Sequence, residues 1–271
     1  MTHFRGVAQF GSAPVLGTGG RRFKSCLPDH KNGILYRSFF YNLKFILKYY
    51  IIYIDILKDY KMKITWILTC PFSTNTYFVW DETTKEAAIV DPGDDFSFIV
   101  EKINEFEIKP VQIWLTHGHF DHMFACGRLS EYYKIPVYMN SKDIELFDIF
   151  HDQAVAYGFD ESNYLPITNI INVDQGDEIT LGSETVKVLS TPGHSKGSLC
   201  FVTSAGVLCG DLIFNQSIGR TDLYGGDFST LINSIKTKIL PLNEETILYP
   251  GHGIKTKIKS EKKGNPFLQD L

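Results

Sequence analysis

The stretch LTHGHFDHMFACG (residues 115–127) places His117, His119, Asp121 and His122 within six consecutive positions. It follows the apolar run VQIWL (111–115), which reads as a short buried strand. Packing alone rarely brings four such polar side chains together at a strand end. Neutral imidazole and carboxylate are preferred ligands of zinc and of other divalent transition ions. His117 and His119 are two apart on an extended segment, so both can face the same way. Asp121 and His122 follow where the chain turns into a helix. Two ligand pairs at this spacing suit two ions better than one.

Working outward, three further strand-end clusters carry the same residue types. His194 stands in TPGHSKGS (191–198), Asp211 in CGDLIF (209–214) and His252 in YPGHG (249–253). Each sits among glycines, where little side-chain bulk obstructs the approach of an ion. Of the eight histidines, five belong to this constellation. His3 and His30 lie near the N-terminus, and His151 reads as plain surface in a polar helical stretch. A lone histidine at a strand end is more often a satisfied polar group than a ligand, and Asp211 alone could be a turn residue. The HxHxDH cluster together with three partners in matching contexts is what carries the inference. Asp91, in DPGDD (91–95), is expected to begin a Pro-Gly turn and to orient the neighbouring ligand loop.

From residue 62 the chain alternates strands with helices and shows no long linker or internal repeat. KITWILT, TNTYFVWD, EAAIVDPG, VQIWLTH, IPVYMN, ETVKVLST, SLCFVTS, GVLCGD and TILYPGH read as strands. DDFSFIVEKINEFE, with acidic residues in its first turn, DHMFACGRLSEYY and DFSTLINSIKTKIL read as helices. Strands mixed with helices predict an α/β protein with helix-covered sheets.

Residues 1–61 differ from the rest. They hold ten Lys/Arg against three Asp/Glu, whereas residues 62–271 hold 17 against 28. No sustained periodicity is visible in 1–33. Codons for Phe10-Gly11-Ser12-Ala13 and Arg22-Phe23-Lys24-Ser25 can spell D-loop-like and T-loop-like strings, so the stretch resembles a conceptual translation of a transfer-RNA gene. Residues 34–61 turn to Ile, Tyr, Phe, Lys and Asn, as AT-rich spacer DNA would encode. Arg37, Lys44, Lys48 and Asp55 interrupt the apolar run, which falls short of the roughly 18–20 residues needed to span a bilayer. A signal-peptide pattern is also missing. The expected organisation is therefore a spurious or disordered extension over 1–61 and one domain over 62–271, with Met62 as the natural start. The acidic body, without a concentrated basic patch, disfavours nucleic acid, and no membrane partner is expected. Five cysteines without a CxxC pair fit free thiols in a cytoplasmic protein.

The ordered series Asp91, His117-x-His119-x-Asp121-His122, His194, Asp211 and His252 resembles the metallo-β-lactamase superfamily over essentially all of 62–271. The resemblance implies an αβ/βα four-layer sandwich with metals at one edge between the sheets. By motif it assigns His117, His119 and His194 to a first site. Asp121, His122 and His252 form a second, with Asp211 bridging the two ions. The tail PGHGIKTKIKSEKKGNPFL (250–268) and SIGRTDLYGGD (217–227) look like the short glyoxalase II-like hydrolases; the expected departure from full-length glyoxalase II is the early end after His252, without a helical C-terminal domain. Lys196 departs from what many relatives carry. The implied cofactor is Zn²⁺, two ions, with iron or manganese also suited to mixed N/O ligands. Two ions about 3.5–4 Å apart lower the pKa of a bridging water and create hydroxide without a strong base. That hydroxide is expected to attack the carbonyl of a glutathione-type thioester, with Asp121 orienting it. Rival readings are an iron-dependent persulfide dioxygenase, a lactone or other ester hydrolase, a nuclease and a noncatalytic binding module. The dioxygenase would use two histidines with Asp211 on one iron, so metal identity separates it from the hydrolase. No oligomeric state is assigned.

Overall fold

The computed structural model describes residues 61–69, 71–157 and 164–269. The expectations for residues 1–60, and Cys26 and Cys70, lie outside the described residues. In chain order the elements are β1 (Met62–Thr69), β2 (Thr74–Asp81), β3 (Glu86–Val90), α1 (Phe96–Glu105), β4 (Lys109–Trp114), α2 (Phe120–Met123), α3 (Cys126–Tyr133), β5 (Val137–Met139), a 3-10 turn (Ser141–Asp143) and α4 (Glu145–Ala156). Then follow β6 (Ile170–Asn172), β7 (Glu178–Leu181), β8 (Glu184–Ser190), β9 (Leu199–Thr203), β10 (Gly206–Gly210), β11 (Ile213–Phe214) and β12 (Ser217–Ile218). The series closes with α5 (Phe228–Ser234), a π-helical turn (Ile235–Ile239), β13 (Ile247–Pro250), β14 (Thr256–Lys257) and α6 (Ile258–Gly264).

Two six-stranded sheets form, in the orders β1-β2-β3-β4-β5-β6 and β14-β13-β10-β9-β8-β7. The alternation of side chains along each strand assigns every residue to a layer. Tyr77 and Val79 of β2 and Ala88 and Val90 of β3 enter the core shared with Val186, Val188, Phe201 and Leu208 of the second sheet. Their neighbours Phe78, Ala87 and Ile89 point the other way, onto Ile99 and Ile103 of α1 and Leu129 of α3. On the far side, Leu231, Ile235 and Ile239, spaced four apart, pack with Cys200, Val207, Cys209 and Leu248. The result is the four-layer αβ/βα sandwich. Trp114 and Phe201 stack across the middle at 5.2 Å between ring centroids. Both are fully buried, and burial of a side chain of that size contributes about 1.5–3 kcal/mol.

Several elements differ from the sequence reading. The helix expected over 121–133 is broken into α2 and α3. The Ala125 amide donates at 3.1 Å to the carbonyls of both Pro92 and Gly93, and this tertiary demand replaces a helical bond. The late helix changes to a π-helical turn after Ser234. Asp94 and Asp95 precede α1 and do not enter its first turn; Asp95 has a φ of 61° and makes no side-chain cap. His151 falls in α4, with its side chain outside the described residues. Cys126, Cys200 and Cys209 are free and buried. Among the described residues no helix is long and apolar enough to cross a membrane.

A candidate dinuclear metal centre

The site forms where strands of both sheets end. In the first sheet β3 leads into Asp91 and, parallel to it, β4 leads into 116–119. In the second, β10 and β13 are parallel, so Asp211 and His252 emerge at the same end. The rims are joined by backbone bonds: Asn75 donates to the Gly251 carbonyl and Leu199 to the Thr116 carbonyl, both at 2.7 Å. Asn75 Nδ2 also donates to the carbonyls of Pro250 and Gly253, each at 2.9 Å.

All seven expected residues meet there. His117, His119 and His194 bring ligand atoms within 4.8 Å of one another, and so do Asp121, His122 and His252. Asp211 lies between the groups. Its Oδ1 is 3.5 Å from His122 Nε2, and its Oδ2 is 3.6 Å from both His194 Nε2 and His252 Nε2. His194 Nε2 and His119 Nδ1 are 2.8 Å apart, and His122 Nε2 and His252 Nε2 are 3.2 Å apart. Gly251 makes this closeness sterically feasible: a Cβ there would sit 2.2 Å from Asp211 Oδ1 and 2.5 Å from His122 Cε1.

Outer contacts orient three of the rings. Asp91 has a φ of 50°, and its Oδ1 accepts from the Thr116 amide at 2.8 Å. Its Oδ2 accepts from the Thr116 hydroxyl at 2.6 Å and from His122 Nδ1 at 3.0 Å. The Thr116 oxygen in turn accepts from His117 Nδ1 at 3.0 Å, a tautomer assigned from this network. His194 Nδ1 donates to the Arg220 carbonyl at 2.7 Å, which puts the GRTD segment to use as a backbone support. In each case the Nδ1 proton is held outside and Nε2 faces inward, the arrangement usual for imidazole ligands. Asp91, His117 and His122 also bring ligand atoms within 4.8 Å of one another. Both Asp91 oxygens are already engaged, however, so its place is behind the ligands.

The donor set fits divalent ions. His117 Nε2 and Asp211 Oδ1 are buried with no hydrogen-bond partner, a costly state for polar atoms unless they bind something. Burial, reinforced by the neighbouring imidazoles His122, His119 and His194, holds His117 well below the usual histidine range and keeps it neutral. Burial also lowers His194, although Asp211 opposes the shift. His122 behaves differently: burial pulls it down, but the carboxylates of Asp121, Asp211 and Asp91 overcome this and push it up to about 10. Burial would raise Asp121, yet His122 and His252 hold it below the usual carboxylate range. The carboxylates therefore call for positive charge at the centre, and divalent ions supply it while leaving the imidazoles free to ligate. The two triads with Asp211 between them support a dinuclear metal centre.

Sequence reasoning noted the glycines beside His194, Asp211 and His252, Gly251 among them, but did not single out Thr116 or Asp143. Thr116 flanks a motif residue and could have been flagged by proximity. Asp143, in the unremarkable NSKDIELF (140–147), carries no pattern that marks it. Beside the triads, Phe72 packs edge-on to Phe120 at 5.4 Å and to Tyr157 at 5.6 Å, forming an aromatic wall.

A family model for the metallo-beta-lactamase superfamily matches residues 71–252. The chain is 36% identical over 210 residues to the hydroxyacylglutathione hydrolase GloC of Haemophilus influenzae, covering 76% of this chain and 98% of that protein. Among solved structures, the BLEG-1 B3 metallo-beta-lactamase is 36% identical with a TM-score of 0.69, covering 76% of this chain and 99% of that one. TTHA1623, solved in a di-iron-bound form, is 33% identical with a TM-score of 0.67, covering 75% and 99% respectively.

Proposed function

Because the chain belongs to the metallo-beta-lactamase superfamily, a family of metal-dependent hydrolases, we propose that it cleaves thioesters of the acyl-glutathione type. The observation that carries this choice of substrate is the 36% identity to a hydroxyacylglutathione hydrolase over 98% of its length.

In this reading His117, His119 and His194 hold one ion, Asp121, His122 and His252 hold the other, and Asp211 reaches both. Zinc is the proposed metal, with iron as the second choice in view of the di-iron relative. Bound there, two such ions would supply a water of lowered pKa and Lewis-acid polarisation of the substrate carbonyl. The chain's own groups then do the rest. Asp91 and the Arg220 carbonyl hold ring orientation through His122 Nδ1 and His194 Nδ1. The Asp121 side chain is 18% exposed, against 10% for Asp211 and 2% for Asp91. It is therefore the carboxylate of the site best placed to accept a hydrogen bond from the attacking water and orient it. Thr74 Oγ1 donates to Asp121 Oδ2 at 3.4 Å and steadies it. The conjugate thiol has a pKa of about 8.5, so the leaving group departs as thiolate without a dedicated general acid.

The test is a comparison of protein reconstituted separately with zinc and with iron. Thiol release from acyl-glutathione thioesters is expected from the zinc form. Oxygen uptake on a glutathione persulfide with iron, and no thioester cleavage with either metal, would move the protein to the dioxygenase reading. Preferred cleavage of a lactone or a β-lactam in the same panel would equally overturn the thioester assignment.

A further inference from the structure

Three donors converge on one buried carboxylate that belongs to neither triad. Asp143, 1% exposed, closes the 3-10 turn after β5. Its Oδ2 accepts from the Gly118 amide at 3.0 Å and from the Ser195 hydroxyl at 2.6 Å. Its Oδ1 accepts from the Gly197 amide at 2.6 Å. Gly118 lies between His117 and His119, and Ser195 directly follows His194. One side chain thus joins the two loops that carry all three rings of the first triad.

The fit is tight on both sides. A Cβ at Gly118 would lie 2.7 Å from the Asp143 carbonyl oxygen and 3.0 Å from its Cβ. A Cβ at Gly197 would lie 2.7 Å from Asp143 Cγ. The Ser195 hydroxyl has its direction set as well. Ser198 Oγ accepts from the Ser195 amide at 3.1 Å and can donate to Ser195 Oγ at 2.7 Å, which leaves the Ser195 proton for Asp143.

We infer that Asp143 is a positioning residue for the first metal site, setting the separation of the His117/His119 loop from the His194 loop. The inference rests on the ligand assignment proposed above. An ionised carboxylate suits the position because both oxygens must accept. An asparagine cannot replace it: whichever way the amide sits, its NH₂ faces the N–H of Gly197 or of Gly118. The second triad draws its support elsewhere, from Asp91 on His122 and from Thr74 on Asp121.

The experiment is zinc affinity by chelator competition on the full chain in two backgrounds. His252→Ala leaves the first triad intact, and His194→Ala leaves the second. Adding Asp143→Asn should weaken zinc roughly 10–100-fold in the first background and change it by less than about threefold in the second. Ser195→Ala removes one donor and should shift affinity the same way by a smaller factor, so a poorly folding Asp143 variant does not block the test. Equal losses in both backgrounds would mark a general weakening of the fold and overturn the inference, as would an unchanged affinity in the first. Failure of the His252→Ala protein itself to bind zinc would overturn the ligand assignment, and the inference with it.

Discussion

The two halves of the candidate metal centre are braced in different ways. In the second triad Asp91 holds a ligand ring itself, with its carboxylate on His122 Nδ1, and it reaches His117 through the Thr116 hydroxyl. In the first triad Asp143 touches no ligand ring and gathers the backbone and a serine on either side of the histidines. One brace sets the rotation and tautomer of a ring. The other sets how far apart two loops stand. A ring held by a carboxylate gains basicity as well as orientation, so loss of Asp91 should alter both the metal and the electronics around it. A loop clasp acts first on geometry.

The strongest challenge to this division comes from the residue common to both halves. Asp211→Ala should release both ions and lower turnover by orders of magnitude, because its carboxylate lies within 3.6 Å of rings from both triads, His194 in the first and His122 and His252 in the second. Metal counting by mass spectrometry checks it. If two ions stay bound, Asp211 does not bridge and the two halves hold their ions independently.

Next in size is Asp91→Asn. It should weaken zinc roughly 10–100-fold in the His194→Ala background, where the second triad remains, through the lost contact to His122. A smaller loss is expected in the His252→Ala background, since the path to His117 runs through Thr116. Chelator competition reads both. The reverse ranking would erase the contrast between the two braces.

These two aspartates also show what a single sequence discloses. Asp91 ends a strand and opens a Pro-Gly turn, and its spacing before the HxHxDH cluster is enough to suggest an orienting role. All seven ligand candidates were legible for a related reason. Histidine and aspartate stand out chemically, and strand ends in an α/β sandwich converge on one rim. Asp143 was not legible, because NSKDIELF is equally compatible with an ordinary helix start and its partners are 25 to 54 residues away. The same limit applies to the helix break at Ala125, which depends on Pro92 and Gly93. Strands β6, β7, β11, β12 and β14 go unread because they run for only two to four residues, too short for periodicity to show. Local pattern reports local structure, and contacts across the fold decide the remainder.

A mid-sized effect should come from steric pressure between the halves. Gly251→Ala places a Cβ 2.2 Å from Asp211 Oδ1 and 2.5 Å from His122 Cε1. Displacing either group in a packed site costs about 1–3 kcal/mol. Thermal melting should fall and zinc content should drop in the same preparation. Unchanged melting with full metal content would mean that the rim has slack, and that tight bracing is not what holds the centre together.

The smallest effect is expected at Lys196, two residues after His194. Its ammonium pairs with Glu145 at 2.7 Å and lies 4.6 Å from the centre of the Tyr224 ring. Tyr224 also donates to Glu145 at 3.2 Å. The trio ties the start of α4 to the His194 loop, as Asp143 does two residues earlier, but it does so in solvent. The side chains of Lys196 and Glu145 are 48% and 43% exposed. Water screens such a pair, and holding two long side chains in register offsets much of the attraction. Lys196→Ala should therefore leave melting, zinc affinity and turnover close to the parent values, at low and high salt alike. A loss matching that of Asp143→Asn would show that the exposed strap, and not the buried carboxylate beside it, sets the spacing of the loops.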